Sequence, residues 1–271
     1  MNRRAFLRHL AVLTGFHLLG FPPLVRAMGV AAQACTGASR VALIIDDMGY
    51  SRARLERFLA LELPMTFAIL PRLRHSAHCG RLAAQKGHEV LLHQPMEPIQ
   101  SRFDPGPGAL YVGDGPERIR RVLEANLDAL PEAIGVNNHM GSRFTSRQPE
   151  IHRALEVIGD RGLFFIDSLT SCRSQAFQTA RSLRIPSSRR SVFLDNTPQV
   201  PAIMGQLRCL TALACQTGTA IGIGHPHLET AEAIARFAPL WREKGIVLVS
   251  SSRMVGPLES PVRPSPEAIA F

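Results

Sequence analysis

Aromatic residues make up only 6% of this 271-residue chain. A surface that stacks nucleic-acid bases needs aromatics interleaved with basic groups. The net charge of +9 comes almost entirely from arginines, and they are scattered, with no dense basic run. No nucleic-acid partner is expected. The cysteines are few: Cys35, Cys79, Cys172, Cys209 and Cys215. Their spacing matches no zinc ribbon. Cys209 and Cys215 fall on one expected helix, too far apart along it to pair. An oxidising compartment would permit a disulfide, but the simplest reading of the cysteines is small buried hydrophobes. No G-x-S-x-G nucleophile elbow and no Walker loop occurs, so serine-hydrolase and P-loop chemistry lack an anchor. Beyond residue 25 no apolar run is long enough to span a membrane.

The amino terminus reads as an address, not as part of a fold. Arg3, Arg4, Ala5, Phe6 and Leu7 precede an apolar stretch at 10–25, and small residues lead to Ala32, Gln33 and Ala34. That is a basic n-region, an h-region and an A-x-A cleavage site. The Arg-Arg-x-Phe-Leu core resembles a twin-arginine export signal. Pro22 and Pro23 interrupt the apolar run, which is short for an anchor. A signal peptide at 1–34, periplasmic export and no transmembrane segment after cleavage are therefore expected. Residues 257–271 read as a Pro-rich tail. Nothing between 36 and 256 suggests a linker, so one domain is expected there.

What the chain does have is a stretch at 41–50, Val-Ala-Leu-Ile-Ile-Asp-Asp-Met-Gly-Tyr. A short continuous apolar run predicts a strand buried on both faces. Asp46 and Asp47 stand where it ends. Side chains alternate along a strand, so the two acids are expected to point in different directions. Further strands are expected at 65–70, 89–93, 134–139, 163–167, 191–195, 219–224 and 246–250. Helices are expected at 51–61, 74–86, 116–130, 148–160, 171–183, 200–216 and 228–244. The stretch 94–115 has no periodicity. Alternating strands and helices predict an α/β protein with a parallel sheet. Seven or eight units suggest a closed or partly closed (β/α) barrel.

Polar groups recur at one place in this pattern. Asp46, Asp47, His93, His139, Asp167, Asp195 and His225 each follow an apolar run. In a parallel barrel those ends meet on one face, where an Asp/His cluster means metal or acid/base chemistry. His88, Glu89 and His93 are not a zinc-protease H-E-x-x-H. Their spacing is five, and on a strand that offset sends the histidines to opposite faces.

Taken in order, these stretches resemble a known family. Ile44-Ile45-Asp46-Asp47 and Gly87-His88-Glu89 leading to His93 are similar to the first two motifs of NodB-type polysaccharide deacetylases (carbohydrate esterase family 4). The whole of 40–254 most resembles the divergent polysaccharide deacetylase family. Its marks are Asp46-Asp47, His93-x-Pro-Met-Glu97-Pro, Asn137-Asn-His139-Met-Gly-Ser142, Phe165-Ile-Asp167-Ser and Gly224-His225-Pro-His227. The resemblance implies a distorted, NodB-like barrel and a metal-dependent hydrolase. Its substrate would be an acylated envelope glycan, a polysaccharide or peptidoglycan-like. It implies Asp46 as base, Asp47 and His93 as ligands of one divalent metal, zinc foremost, and His225 as acid. NodB-type enzymes carry a second histidine four residues after the first, and here that position is Glu97. His139 is the expected replacement ligand, Glu97 the second choice. Arg143, Asp167, His227 and Glu97 are expected to bind substrate or support the site. The lost histidine also motivates a second expectation, a non-catalytic periplasmic protein that binds glycan or a protein partner.

Overall fold

The computed structural model describes residues 39–256. The expected signal peptide, Cys35 and the expected tail lie outside those residues. Strands and helices alternate in chain order. They are β1 (Arg40–Met48), α1 (Arg52–Leu59), β2 (Thr66–Ile69), α2 (Ser76–Gln85), β3 (Glu89–Met96), α3 (Pro116–Asp128), β4 (Ala133–Met140) and α4 (Gln148–Asp160). There follow β5 (Phe164–Asp167), α5 (Ala176–Ser182), β6 (Ser187–Arg189), β7 (Val192–Phe193), α6 (Val200–Thr217), β8 (Thr219–Gly224), α7 (Leu228–Glu243) and β9 (Val247–Val249).

The strands form one sheet in the order β6-β5-β4-β3-β2-β1-β8-β7, with β9 paired to β1. Every pairing is parallel. Among the described residues β6 and β7 do not pair, so the barrel is open there. β1 is the hub. Its first three residues lie against β9, its later ones against β2, and β8 flanks it from Arg40 to Ile45.

The burial of β1 explains its central place. Val41, Leu43 and Ile45 join the large core between sheet and helices, while Ala42 and Ile44 join a smaller core inside the barrel. One strand thus supplies both layers by simple alternation. Leu43, Ile44 and Ile45 are wholly buried, each contributing roughly 1.5–3 kcal/mol. The end of the barrel away from the site is closed by residues 250–254. There Ser251 N donates to Thr66 Oγ1 (3.0 Å), and Glu89 accepts from Ser251 Oγ (3.1 Å) and Ser252 N (2.9 Å).

The distorted, mostly parallel barrel expected from the sequence is the one found, with two local differences. β6 is an additional strand whose sequence, Ser-Ser-Arg, has no apolar signal. The run expected as a strand over 191–195 keeps only two ladder residues, because Leu194 and Asp195 bend towards the end of β8. The cysteines also differ from expectation. Cys79 is a buried thiol, but Cys172 and Cys209 are exposed and Cys215 is disulfide-bonded. No helix among the described residues is long and apolar enough to cross a membrane.

Candidate functional site

The carboxyl ends of β1, β3, β4 and β8 bring the site together. Strict alternation would send Asp46 and Asp47 to opposite faces, and the structure departs from that expectation. The register between β1 and β2 slips between Ile45 and Met48, and Asp47 has a φ of 56°. Aspartate tolerates this left-handed conformation better than most residues. The resulting bulge turns both acids onto one histidine. His93 Nε2 lies 3.2 Å from Asp47 Oδ1 and 3.6 Å from Asp46 Oδ2.

His139 closes a triangle. Its Nδ1 lies 2.9 Å from Asp47 Oδ1 and 3.2 Å from His93 Nε2. Asp47 Oδ1 is buried, yet no donor is aligned on it. The two histidine nitrogens and this oxygen face one common space. The triangle's edges, 2.9 to 3.2 Å, are close to the ~3.3 Å between ligand atoms of a tetrahedral zinc with ~2.0–2.1 Å bonds. The donor set, one carboxylate and two imidazoles, also fits. Charge points the same way. The carboxylates of the buried Asp46 and the half-buried Asp47 face two imidazoles, and a divalent cation would balance them.

Asn137, which the sequence marks only as part of a motif with no assigned role, organises this triangle. It pairs in register with His93 across β3 and β4. Its Oδ1 accepts from His93 Nδ1 (2.8 Å), and its Nδ2 donates to Asp46 Oδ1 (2.8 Å). An amide oxygen only accepts, so His93 Nδ1 carries a proton, and Nε2 is the atom turned towards Asp47 and His139. One amide fixes both the tautomer of His93 and the orientation of Asp46.

The two acids are held differently. Burial pushes the Asp46 carboxyl above its usual range, and the nearby histidine charges offset this only in part. For Asp47, burial works upward too, but His139 and His93 outweigh it and hold the group well below the usual range. Asp47 stays anionic, as a ligand must. Asp46 is the acid with affinity for a proton.

At the end of β8 a second constellation faces the first. The last register pair of β1 and β8 is Ile45 with Gly224, so Asp46 and His225 are the next residues on adjoining strands. His225 Nδ1 donates to Asp195 Oδ1 (2.8 Å), and His225 N donates to Asp195 Oδ2 (2.5 Å). Thr230 Oγ1 donates to the same Oδ2 (2.7 Å). A Cβ at Gly224 would stand 3.2 Å from that oxygen and 3.1 Å from Thr230 Cγ2, so glycine permits the close approach. Burial alone would lower the His225 pKa, but the bond and charge of Asp195 outweigh it, and the imidazole is pushed up to about 9. His225 also stacks on Phe193 at 6.1 Å, and the Arg190 guanidinium covers the other ring at 3.7 Å.

The remaining expected residues serve other contacts. Asp167 is wholly buried and accepts from Leu169 N, Ser174 Oγ and Phe177 N, so it shapes the loop after β5. Glu97 stands outside the Asp47–His93–His139 cluster. Its carboxylate pairs with Arg143 Nη1 (3.0 Å) and accepts from Val112 N (2.7 Å), holding the loop after β3. Arg143 is exposed. His227 is exposed, with its ring 6.1 Å from that of His225. Besides giving Asn137 no role, the sequence reading passed over Arg190. It donates to the carbonyls of Ser168 (2.7 Å) and Leu169 (2.8 Å) and feels the charges of Asp167 and Asp46.

A parallel barrel with an Asp/His cluster at its strand ends has the architecture of the carbohydrate esterase family 4 deacetylases. Residues 43–255 match the divergent polysaccharide deacetylases, and the chain belongs to that family. It is 32% identical over 197 residues to the uncharacterized protein YibQ of Escherichia coli, covering 73% of this chain and 61% of that one. The chain thus spans less than two thirds of that relative. An uncharacterized protein of Agrobacterium tumefaciens has a similar crystal structure, with a TM-score of 0.77 at 27% identity, over 81% of this chain and 90% of that one. The fold is shared more distantly with the catalytic domain of a peptidoglycan N-acetylglucosamine deacetylase from Eubacterium rectale. There the TM-score is 0.53 at 12% identity, over 86% of this chain and 99% of the other.

Proposed function

We infer that this protein is a metal-dependent hydrolase that removes N-acetyl groups from an envelope polysaccharide or amino sugar. The observation that carries the reading is the convergence of Asp47 Oδ1, His93 Nε2 and His139 Nδ1, with Asp46 and His225 on adjoining strands beside it. Asp47, His93 and His139 would hold one divalent cation, zinc by its donor set. Such an ion acidifies water and polarises an acyl carbonyl. His139 takes the place of the histidine that Glu97 displaces, so the substitution at 97 does not by itself empty the site.

The chain's own groups divide the proton work. Asp46 Oδ1 is occupied by Asn137, leaving Oδ2 to accept the proton of the attacking water. Burial raises its affinity for that proton. Water oxygen joins the acyl carbon, the carbon–nitrogen bond breaks, and the leaving nitrogen needs a proton. His225 holds one at neutral pH because Asp195 anchors its Nδ1. Its Nε2 delivers that proton to the amine. The products are acetate and a free amino sugar.

The twin-arginine pattern supports export to the periplasm, where envelope glycans lie. Lysine at positions 3 and 4 should abolish delivery, and unchanged delivery would favour the general secretory route. The test of function is to measure bound metal and acetate release together, on N-acetylglucosamine oligomers and peptidoglycan fragments. Metal without acyl release from any of them would favour a glycan-binding role.

A further inference from the structure

Beside the site lies a cleft of about 670 Å³ lined by Ile99, Arg143, Ser146, Arg147, Arg173 and Gln175. Its walls are the segments that follow β3, β4 and β5, so it opens on the same end of the barrel as the Asp/His cluster. Arg143 comes four residues after His139, and four residues span at most about 14 Å. The walls are tied together. Ile99 N donates to Ser142 Oγ (3.0 Å), and Gln175 N donates to the Thr145 carbonyl (2.8 Å).

The charge in this cleft is unbalanced. Arg143 is paired with Glu97. Among the described residues Arg147 and Arg173 have no carboxylate partner and no side-chain hydrogen bond. Three guanidinium groups therefore surround one space with a single carboxylate between them. Exposed arginines without an acidic partner also stand outside the cleft, at 121, 208 and 242 among others. What sets Arg143, Arg147 and Arg173 apart is that they line one space whose lining includes no acid, whereas the cleft lined by Arg120, Arg153 and Arg184 also includes Glu156 and Asp160. The guanidinium fork is the side chain best matched to carboxylate and phosphate oxygens. The volume lies in the range of small-ligand sites.

We propose that this cleft is a subsite for an anionic group, a carboxylate or phosphate, on a sugar next to the one that is deacylated. Arg147 and Arg173 bind the anion, and Gln175 and Ser146 line the sugar. The proposal rests on the glycan-hydrolase reading for its ligand but not for its chemistry. It makes the substrate an acidic glycan and sets specificity apart from catalysis.

The test uses the whole mature protein and the double variant Arg147→Gln/Arg173→Gln. A second double variant, Arg208→Gln/Arg242→Gln, removes the same charge from α6 and α7. Binding is measured to three probes: a neutral N-acetylglucosamine oligomer, a carboxylate-bearing oligomer and a phosphate-bearing one. The acidic probes should bind roughly tenfold or more tightly than the neutral one. The cleft variant should lose that preference while keeping its metal and its affinity for the neutral probe. The control variant should keep the preference, and the stronger acidic probe identifies the group. Equal binding of all three probes by the unmutated protein would overturn the proposal. So would an acidic preference that survives in the cleft variant. Selective acidic binding without acetate release would keep the cleft and remove the hydrolase reading. Acetate release with no preference for acidic glycans would do the reverse.

Discussion

Two Asp–His constellations share one end of this barrel, and they are built to opposite rules. In the first, Asp47 Oδ1 is buried with two imidazole nitrogens within 3.2 Å and no donor aligned on it. In the second, every oxygen of Asp195 is satisfied by the protein: His225 Nδ1 on one, His225 N and Thr230 Oγ1 on the other. Both groups have the composition and spacing of a metal site. Only the first has a carboxylate oxygen with no donor on it. In the proposed reading Asp195 holds His225 as a proton carrier in the second group, while in the first the donor-free oxygen of Asp47 is left for a cation.

The comparison breaks most visibly at Asp47. Asp47→Asn replaces the proposed anionic ligand with a neutral amide, and His93→Ala removes a proposed nitrogen ligand. Each should leave purified protein without bound metal and reduce acetate release to the blank. His139→Ala should do the same, and full metal occupancy in that variant would remove His139 from the ligand set.

Asp46→Asn should separate from these. Asparagine keeps the size and hydrogen bonding of the residue but cannot take the water's proton. Bound metal should stay, while turnover falls by roughly 10²–10⁴-fold, as for a lost general base. If Asp46→Asn loses metal while Asp47→Asn keeps it, the roles of the two acids are reversed.

Much of this contrast was legible in the chain. Strand ends could be read because each apolar run stops at a polar residue, which places Asp46, His93, His139, Asp195 and His225 on one face. The directions of the side chains could not. Alternation sets Asp46 and Asp47 apart, and only the bulge with its left-handed Asp47 reunites them. Asn137 was visible as a residue of a motif, but its task depends on register with a strand 44 positions away. Arg190 lies in a corner between two very short strands whose sequence carries no hydrophobic period. Asp167 and Asp195 look alike as strand-end acids. What distinguishes them is which donors the following loops return to them.

Asp195→Asn sharpens the second half of the comparison. Removing the charge should let the His225 pKa fall from about 9 towards its ordinary ~6.5. The alkaline limb of the rate profile should move down accordingly, with metal content unchanged. Stability has its own sign. A histidine whose folded pKa is raised stabilises fully below its unfolded value of ~6.5 and loses that contribution as pH climbs through the folded one. Unfolding midpoints should therefore converge between the unmutated protein and Asp195→Asn as pH rises past 9. Loss of metal in Asp195→Asn would show that the two constellations are not independent.

The smallest effect is expected at Asn137, which touches both halves of the first constellation. Its amide oxygen keeps the His93 proton on Nδ1, and its amide nitrogen holds Asp46. Asn137→Asp keeps an acceptor for His93 but presents an oxygen where Asp46 had a donor. Asn137→Leu removes both bonds and frees the imidazole to change tautomer. Partners of this kind change metal affinity by about 10–100-fold. Asn137→Leu should therefore bind metal more weakly by that factor and regain occupancy at high metal concentration, unlike His93→Ala. Once reloaded, it should still turn over slowly, because Asp46 is no longer oriented. Asn137→Asp should retain more metal than Asn137→Leu but perturb the base more, since two carboxyl groups then share one proton. Reloaded Asn137→Leu with full turnover would mean that the amide merely fills space, and that β3 and β4 alone orient His93 and Asp46.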